Sequence, residues 1–176
     1  MNRSLRMLLL GCVGMLLSAP LGCASNPREG YAAANLYPAQ FRSVSATIFR
    51  NRSYIRGIEK HLMEALTKEL ESTTPYSLAS EVSADTVLQG TITDARLLEL
   101  SKDPTTGLAN EMMFEVTANF EWIDMRTGKK IVAQNGIKAS ALFVPSAPAR
   151  EPIELAQFAV AEDMARDIVA AMQTEW

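Results

Sequence analysis

The sequence is poor in the side chains on which most enzymes and metal sites depend. Its 176 residues include one histidine, His61, and two cysteines, Cys12 and Cys23. General-base catalysis at neutral pH usually uses histidine, and zinc needs three or four His, Cys or acidic ligands. His61 lies beside Lys60 and Glu64, which places it on the solvent side of a predicted amphipathic helix or at its border. We therefore predict that the protein is not an enzyme and has no metal or other cofactor.

Other patterns of catalytic and nucleic-acid-binding proteins are also missing. Residues 127–130 contain a Gly-Lys pair, but they lack the earlier glycine of a phosphate loop and lead into a predicted strand. The adjacent carboxylates Glu162 and Asp163 lie on the polar side of a predicted helix, so a solvated surface is the simpler interpretation. The formal charge is -3, and about -5 without Arg3 and Arg6 of the N-terminus, which argues against nucleic acid as a partner.

The sequence has no apolar run long enough to span a bilayer, although its N-terminus is strongly apolar. Residues 1–6 carry two arginines, and the apolar run at residues 7–21 falls short of the roughly twenty residues that a spanning helix needs. This pattern predicts a signal peptide over residues 1–22. Cleavage there would leave 154 of the 176 residues, enough for one domain, with 15 basic against 20 acidic residues.

Cys23 follows Pro20, Leu21 and Gly22, and this arrangement resembles the lipobox of bacterial lipoproteins. Pro20 stands where a lipobox usually has leucine. The resemblance implies that Cys23 carries a covalent lipid and becomes the mature N-terminus. Lipidation would also remove an unpaired thiol, because no second cysteine remains after cleavage. The alternative is an ordinary secreted protein that is cleaved nearby.

Residues 23–40 are small, polar and interrupted by proline, which predicts a tether between the lipid and a domain. Two alternatives stay open for this segment. It is either a disordered linker, or a segment that docks on the domain through Tyr31, Leu36 and Tyr37. A single α+β domain is predicted over residues 41–176.

Alternation of apolar and polar residues predicts most of the strands. The clearest case is residues 111–123, and its apolar face consists of Met112, Phe114, Val116, Ala118, Phe120 and Trp122. Further strands are predicted at residues 41–49, 85–93 with an extension to Leu100, and 130–143. Residues 76–79 are predicted to form a short extended segment.

Three residues are assigned special backbone roles. Asp124 opens the predicted reversal, and Gly128 is expected to take the positive φ of a type I turn with a bulge. Gly90, inside a strand, is predicted to mark a bulge or the close approach of a packed helix.

Two amphipathic helices complete the prediction. Apolar residues recur at spacings of three and four over residues 55–70, after a polar turn at residues 50–53. A second apolar stripe, which includes Phe158, follows Glu151 and Pro152. The order β-α-β-β-β-β-α predicts an α+β two-layer sandwich, with two helices on one face of a mostly antiparallel four- to five-stranded sheet.

Two clusters of positive charge are the candidate binding residues. One comprises Arg126, Lys129 and Lys130 at the hairpin turn, and the other comprises Arg50, Arg52 and Arg56 before the first helix. Two interpretations stay open for both clusters. They serve solubility and protect strand edges, or they bind the phosphate groups of a glycolipid.

A set of short segments, taken in order, resembles the LptE family of outer-membrane lipoproteins in lipopolysaccharide assembly. These segments are residues 30–31, 36–38, 44, 48–52, 57–59, 62–70, 84–92 and 120–129. The resemblance implies a lipid-anchored protein on the periplasmic side of the outer membrane. It also implies that the protein plugs the lipopolysaccharide-inserting β-barrel and binds lipopolysaccharide through basic residues near strand ends, which we assign to Arg126, Lys129 and Lys130.

An alternative resemblance comes from the first strand, its turn and the helix that follows, together with Ala84, Asp85, Leu88 and Gly90. These features also resemble lipoproteins of the curli-secretion or peptidoglycan-synthase-activator type. A pore-former would need a long additional amphipathic segment, for which the mature chain is too short. A tether of about seventeen residues reaches at most roughly 60 Å, which favours work near the membrane over work across the cell wall.

Overall fold

The computed structural model describes residues 36–173, and these contain two helices and six strands. The helices are α1 (Ile58–Thr73) and α2 (Ile153–Ala170), and the strands are β1 (Ser43–Ala46), β2 (Arg50–Asn51), β3 (Ser77–Leu78), β4 (Thr86–Lys102), β5 (Ala109–Asp124) and β6 (Lys130–Phe143). The predicted signal peptide, the lipidation site at Cys23 and most of the predicted tether lie outside the described residues.

The strands form one sheet in the order β3-β1-β4-β5-β6, and β2 also pairs with β4. β1 is parallel to β3 and β4, whereas β4, β5 and β6 form an antiparallel meander. The predicted α+β architecture is confirmed. β3 lies in the predicted short extended segment at residues 76–79. The sheet has one strand more than the predicted maximum of five, because β2 adds a short strand that was not predicted.

The meander follows the predicted pattern closely. In β5 the side chains of Phe114, Val116, Ala118, Phe120 and Trp122 are buried, as the alternation requires. β4 is one strand with a register shift between Ile92 and Asp94, so the predicted strand and its extension are continuous. The face of the sheet opposite these buried side chains is called the open face below.

The predicted first strand at residues 41–49 is wrong in its second half. β1 ends at Ala46, and the chain returns to the sheet only at Arg50 and Asn51, which were predicted as part of a polar turn. Between the two strands Phe49 leaves the sheet plane and is buried in the core. Its ring takes the space beside Gly90, so the close approach predicted at Gly90 comes from Phe49 and not from a helix.

The helices cover one face of the sheet with regular apolar stripes. α1 buries Ile58, Leu62, Leu66 and Leu70 at spacings of four. It begins three residues later than predicted, because the Asn51 amide binds the carbonyl of Ile55 and holds that segment in a turn.

α2 buries most of its predicted stripe, but Ile153 is only partly buried and Phe158 is half exposed. The ring of Phe158 lies instead against His61 of α1, with 4.0 Å between ring centroids. His61 is therefore part of the contact between the two helices, so of its two predicted places it takes the border of α1.

Within residues 36–173 no group of three or more His, Cys, Asp or Glu side chains is arranged to hold a metal ion. In the same residues, no helix is both long enough and apolar enough to cross a membrane.

Candidate functional site

The turn between β5 and β6 is built as the sequence predicts. Asp124 accepts hydrogen bonds from the Thr127 hydroxyl at 2.7 Å and from the Arg126 amide at 2.8 Å, and Gly128 has a φ of 70°. The hydrogen bond from the Thr127 hydroxyl, with those from the Arg126 and Thr127 amides, lowers the pKa of the Asp124 carboxyl. We call residues 124–130 the basic turn.

The three predicted binding residues of the basic turn have different surroundings. The Lys130 ammonium forms an ion pair with Glu121 at 2.5 Å on the open face. Arg126 lines a cavity of about 440 Å³ together with Asp85 and Asp124. The Lys129 side chain is exposed and has no polar partner within residues 36–173. Lys129 is thus the most available of the three cations for an anionic ligand.

The second predicted cluster is divided by the structure. Arg50 and Arg52 line a groove of about 460 Å³ on the open face, whereas Arg56 does not line it and bonds the carbonyl of Asn51 at 3.4 Å. Arg50 and Arg52 lie two residues apart in and just after a strand, so they share a face. Their common side could have been inferred from sequence only if residues 50–51 had been predicted as a strand.

The backbone that carries these two arginines is held at several points. Arg50 pairs with Thr91 in the sheet, and the amide of Arg52 bonds the carbonyl of Ile92 at 3.0 Å. Between them, the side-chain amide of Asn51 donates a hydrogen bond to the carboxylate of Glu59 in α1 at 2.7 Å. This network connects β2 to both the sheet and the helix, so the arginines project from a fixed segment.

The opposite end of the meander has a different character. β4 and β5 run on to the loop at residues 103–108, beyond the point where β2 ends. Four leucines in this region are between 41% and 67% exposed, and they are Leu97, Leu100, Leu108 and Leu142. We call residues 97–113 with Leu142 the hairpin end. Its exposed apolar side chains lie on both faces of the sheet, because Leu97 pairs with Phe114 of the buried face and Leu142 pairs with Met113 of the open face. Exposed apolar surface of this kind can mark an interaction site.

The outer edge of β4 is also open at the hairpin end. β2 pairs with β4 only as far as Ile92, and within the described residues no strand pairs with that edge from Asp94 to Lys102. Charged residues occur along this edge, which is a common protection against unwanted strand pairing. The hairpin end therefore combines apolar side chains with unpaired backbone groups.

Comparison with known proteins gives one family. The family model described as "LptE: Lipopolysaccharide-assembly" matches residues 41–173 of this chain. No curated protein matches the sequence. The matched residues contain all six strands and both helices of the described structure.

Solved structures with a similar fold include several bacterial proteins. Lipoprotein B from Nitrosomonas europaea has a TM-score of 0.54 and 14% identity, and the match covers 80% of this chain and 85% of that one. A hypothetical protein from Chlamydia trachomatis has a TM-score of 0.53 and 12% identity, with coverages of 74% and 94%. A minor lipoprotein from Acinetobacter baumannii has a TM-score of 0.50 and 16% identity, and the match covers 75% of this chain and 94% of that one. At such identities the likeness concerns the fold alone.

Proposed function

This chain belongs to the LptE family of lipopolysaccharide-assembly proteins, and from this membership we propose that it is the partner and plug of the β-barrel that inserts lipopolysaccharide. In this role it is a non-enzymatic lipoprotein, held by lipid on Cys23 at the periplasmic side of the outer membrane. The observation that carries the proposal is the family match, because it spans every helix and strand of the domain.

The position of the hairpin end supports a partner of this kind. Tyr37, near the start of the described chain, packs edge-on against Tyr76, which in turn lies against Trp122 near the basic turn. β4 extends from this end for 17 residues, which corresponds to about 55 Å at the usual rise per residue. The chain therefore enters the fold at one end and carries its exposed leucines at the other, over a distance comparable to the thickness of a membrane.

Binding of lipopolysaccharide is the second part of the proposal. The cations of the basic turn, Arg126, Lys129 and Lys130, are the residues that we propose for contact with its anionic groups. Guanidinium and ammonium groups suit phosphate, with arginine able to donate two parallel hydrogen bonds. The ion pair between Lys130 and Glu121 makes Lys130 the weakest of the three contributors.

The decisive experiment is affinity purification of the tagged full-length protein after gentle extraction from its membrane. We expect a lipopolysaccharide-transport barrel to co-purify in stoichiometric amount. Recovery of a cell-wall synthase would favour the alternative role as an activator, and recovery of no barrel would contradict the proposal.

Substitutions at the hairpin end sharpen this experiment. The double variant Leu97→Lys with Leu108→Lys is expected to lower recovery of the barrel at least severalfold, because it places two charges on the proposed contact. Val82→Lys is the matched control, since Val82 is 99% exposed and lies outside the hairpin end. Equal recovery with both variants would show that the hairpin end does not contact the barrel.

A further inference from the structure

The open face of the sheet uses most of its charges internally. The cations Arg96 and Lys138 both pair with Glu115, and Lys130 pairs with Glu121. Arg50 and Arg52 are different, because within residues 36–173 neither guanidinium has a hydrogen-bond or ion-pair partner. They add two uncompensated positive charges to one groove.

The remaining lining of this groove is mostly polar and almost entirely neutral, with Ile48, Gly90 and Phe120 as its apolar members. It is formed mainly by hydroxyl and amide side chains, namely Thr47, Gln89, Thr91, Thr93, Asn119 and Asn135. Glu121 is the one carboxylate among the lining residues, and its charge is balanced by Lys130. The groove therefore has a net positive charge surrounded by groups that donate and accept hydrogen bonds.

The two arginines are also well placed to bind as a pair. Their backbone is fixed by the pairing of Arg50 with Thr91 and by the hydrogen bond from the Arg52 amide to Ile92. Because this segment is already ordered, less conformational entropy of the protein is lost when a ligand binds to it. Such a pair differs from scattered surface cations, which usually serve solubility.

We propose that this groove is a binding site for a phosphate group carried on a hydroxyl-rich molecule such as a sugar. Arg50 and Arg52 bind the phosphate, because a guanidinium matches phosphate geometry with two parallel hydrogen bonds. The threonine and amide side chains then meet the hydroxyl groups. A volume of about 460 Å³ is larger than phosphate alone requires and lies within the range of small-ligand pockets.

A soluble sugar phosphate and the phosphorylated headgroup of a glycolipid share this chemistry. If the ligand is the glycolipid, the inference rests on the proposed function and adds a second contact, separate from the basic turn. If the ligand is a soluble sugar phosphate, the proposal for the groove does not depend on a role in lipopolysaccharide assembly.

The test is calorimetric titration of the detergent-extracted full-length protein with three probes: inorganic phosphate, a hexosamine phosphate and the unphosphorylated hexosamine. We expect the hexosamine phosphate to bind more tightly than inorganic phosphate, and the unphosphorylated sugar not to bind. The double variant Arg50→Gln with Arg52→Gln is expected to weaken binding of the hexosamine phosphate at least tenfold.

Arg56→Gln is the matched control, because it removes a neighbouring guanidinium that does not line the groove. The Arg56→Gln variant should bind the hexosamine phosphate with the same affinity as the unaltered protein. Equal weakening by Arg56→Gln and by the double variant would overturn the assignment, because it would indicate a general effect of charge. Thermal unfolding of each variant checks that the fold is intact, which we expect since the Arg50 and Arg52 side chains are exposed.

Vesicles distinguish the two sources of the ligand. Binding to vesicles that contain a phosphorylated glycolipid, but not to vesicles with its dephosphorylated form, would identify the headgroup. Competition by soluble hexosamine phosphate would show that both occupy the groove. Failure of the hexosamine phosphate and of the phosphorylated vesicles to bind would overturn the proposal.

The barrel experiment remains separate. The Arg50→Gln, Arg52→Gln variant should still co-purify with the barrel, because the altered side chains lie outside the hairpin end. Loss of ligand binding with retained barrel would support the groove site. Loss of barrel co-purification as well would contradict the claim that the groove is separate from the surface that contacts the barrel.

Discussion

The ring of Phe49 occupies the space that a side chain at position 90 would need. A Cβ atom at Gly90 would lie 2.2 Å from Cε2 of Phe49 and 2.6 Å from the carbonyl oxygen of Asn119. Glycine at this position allows the chain between β1 and β2 to send Phe49 into the core. The same path returns Arg50 to the sheet, so this contact helps to position the groove.

We predict that Gly90→Ala destabilises the protein by about 1–3 kcal/mol, as overpacking of a well-packed core does. The free energy of unfolding would be measured by urea denaturation. Fluorescence of the buried Trp122 reports the transition in a Trp176→Phe background, since the chain has two tryptophans.

A second substitution tests the cause of this loss. Phe49→Leu removes the ring atoms nearest to the added methyl group, so Gly90→Ala should cost less in that background than in the unaltered protein. An equal cost in both backgrounds would assign the strain to the Asn119 carbonyl and not to Phe49.

The carboxyl groups of Asp85 and Asp124 should make the stability of the protein depend on pH. Hydrogen bonds from the Arg42 amide and the Ser43 side chain and amide lower the pKa of Asp85, and the Thr127 hydroxyl with nearby amides lowers that of Asp124. A lowered pKa in the folded state adds stability that is fully present above the unfolded value, near 3.8. This stability disappears as the pH falls through the folded values.

The double variant Asp85→Asn with Asp124→Asn should therefore be less stable than the unaltered protein at pH 6, and the difference should shrink towards pH 2. Urea midpoints across this range measure the effect. Glu81→Gln serves as a control, because its exposed carboxyl has no hydrogen-bond partner in the described part of the chain. A difference that stays constant with pH would show that these carboxyl groups do not contribute through their charge.

The basic turn gives a prediction about lipopolysaccharide. Lys129→Gln should weaken binding of the protein to lipopolysaccharide more than Lys130→Gln does. Lys130 must leave its ion pair with Glu121 before it can bind another anion, whereas Lys129 is free of such a contact in the described residues. Binding would be measured by titration at low and high salt, since exposed charge contacts are screened by salt.

Glu121→Gln is the matching control for this prediction. Glu121→Gln removes the ion-pair partner of Lys130, so Lys130 should contribute more to binding of lipopolysaccharide. Lys130→Gln should therefore weaken this binding more in the Glu121→Gln background than in the unaltered protein. Equal effects of Lys129→Gln and Lys130→Gln in the unaltered protein would contradict the argument from the ion pair.

The sequence alone determined those features that depend on local periodicity. The alternation in residues 111–123 identified β5 and its buried face, and the Asp124 and Gly128 signals identified the turn that follows. Apolar spacings of three and four located both helices to within a few residues. These patterns succeed because the repeat of a strand or helix decides which side chains share a face.

Only the tertiary structure decided which residues from distant positions meet. Phe49 fills the space at Gly90 across 41 positions of the chain, and no local pattern contains that contact. Arg50 and Arg52 were predicted with Arg56, but the pairing of β2 with β4 places only the first two in the groove. A polar pattern shows that a charge faces solvent, whereas its neighbours depend on the path of the whole chain, and those neighbours decide whether the charge is free to bind a ligand.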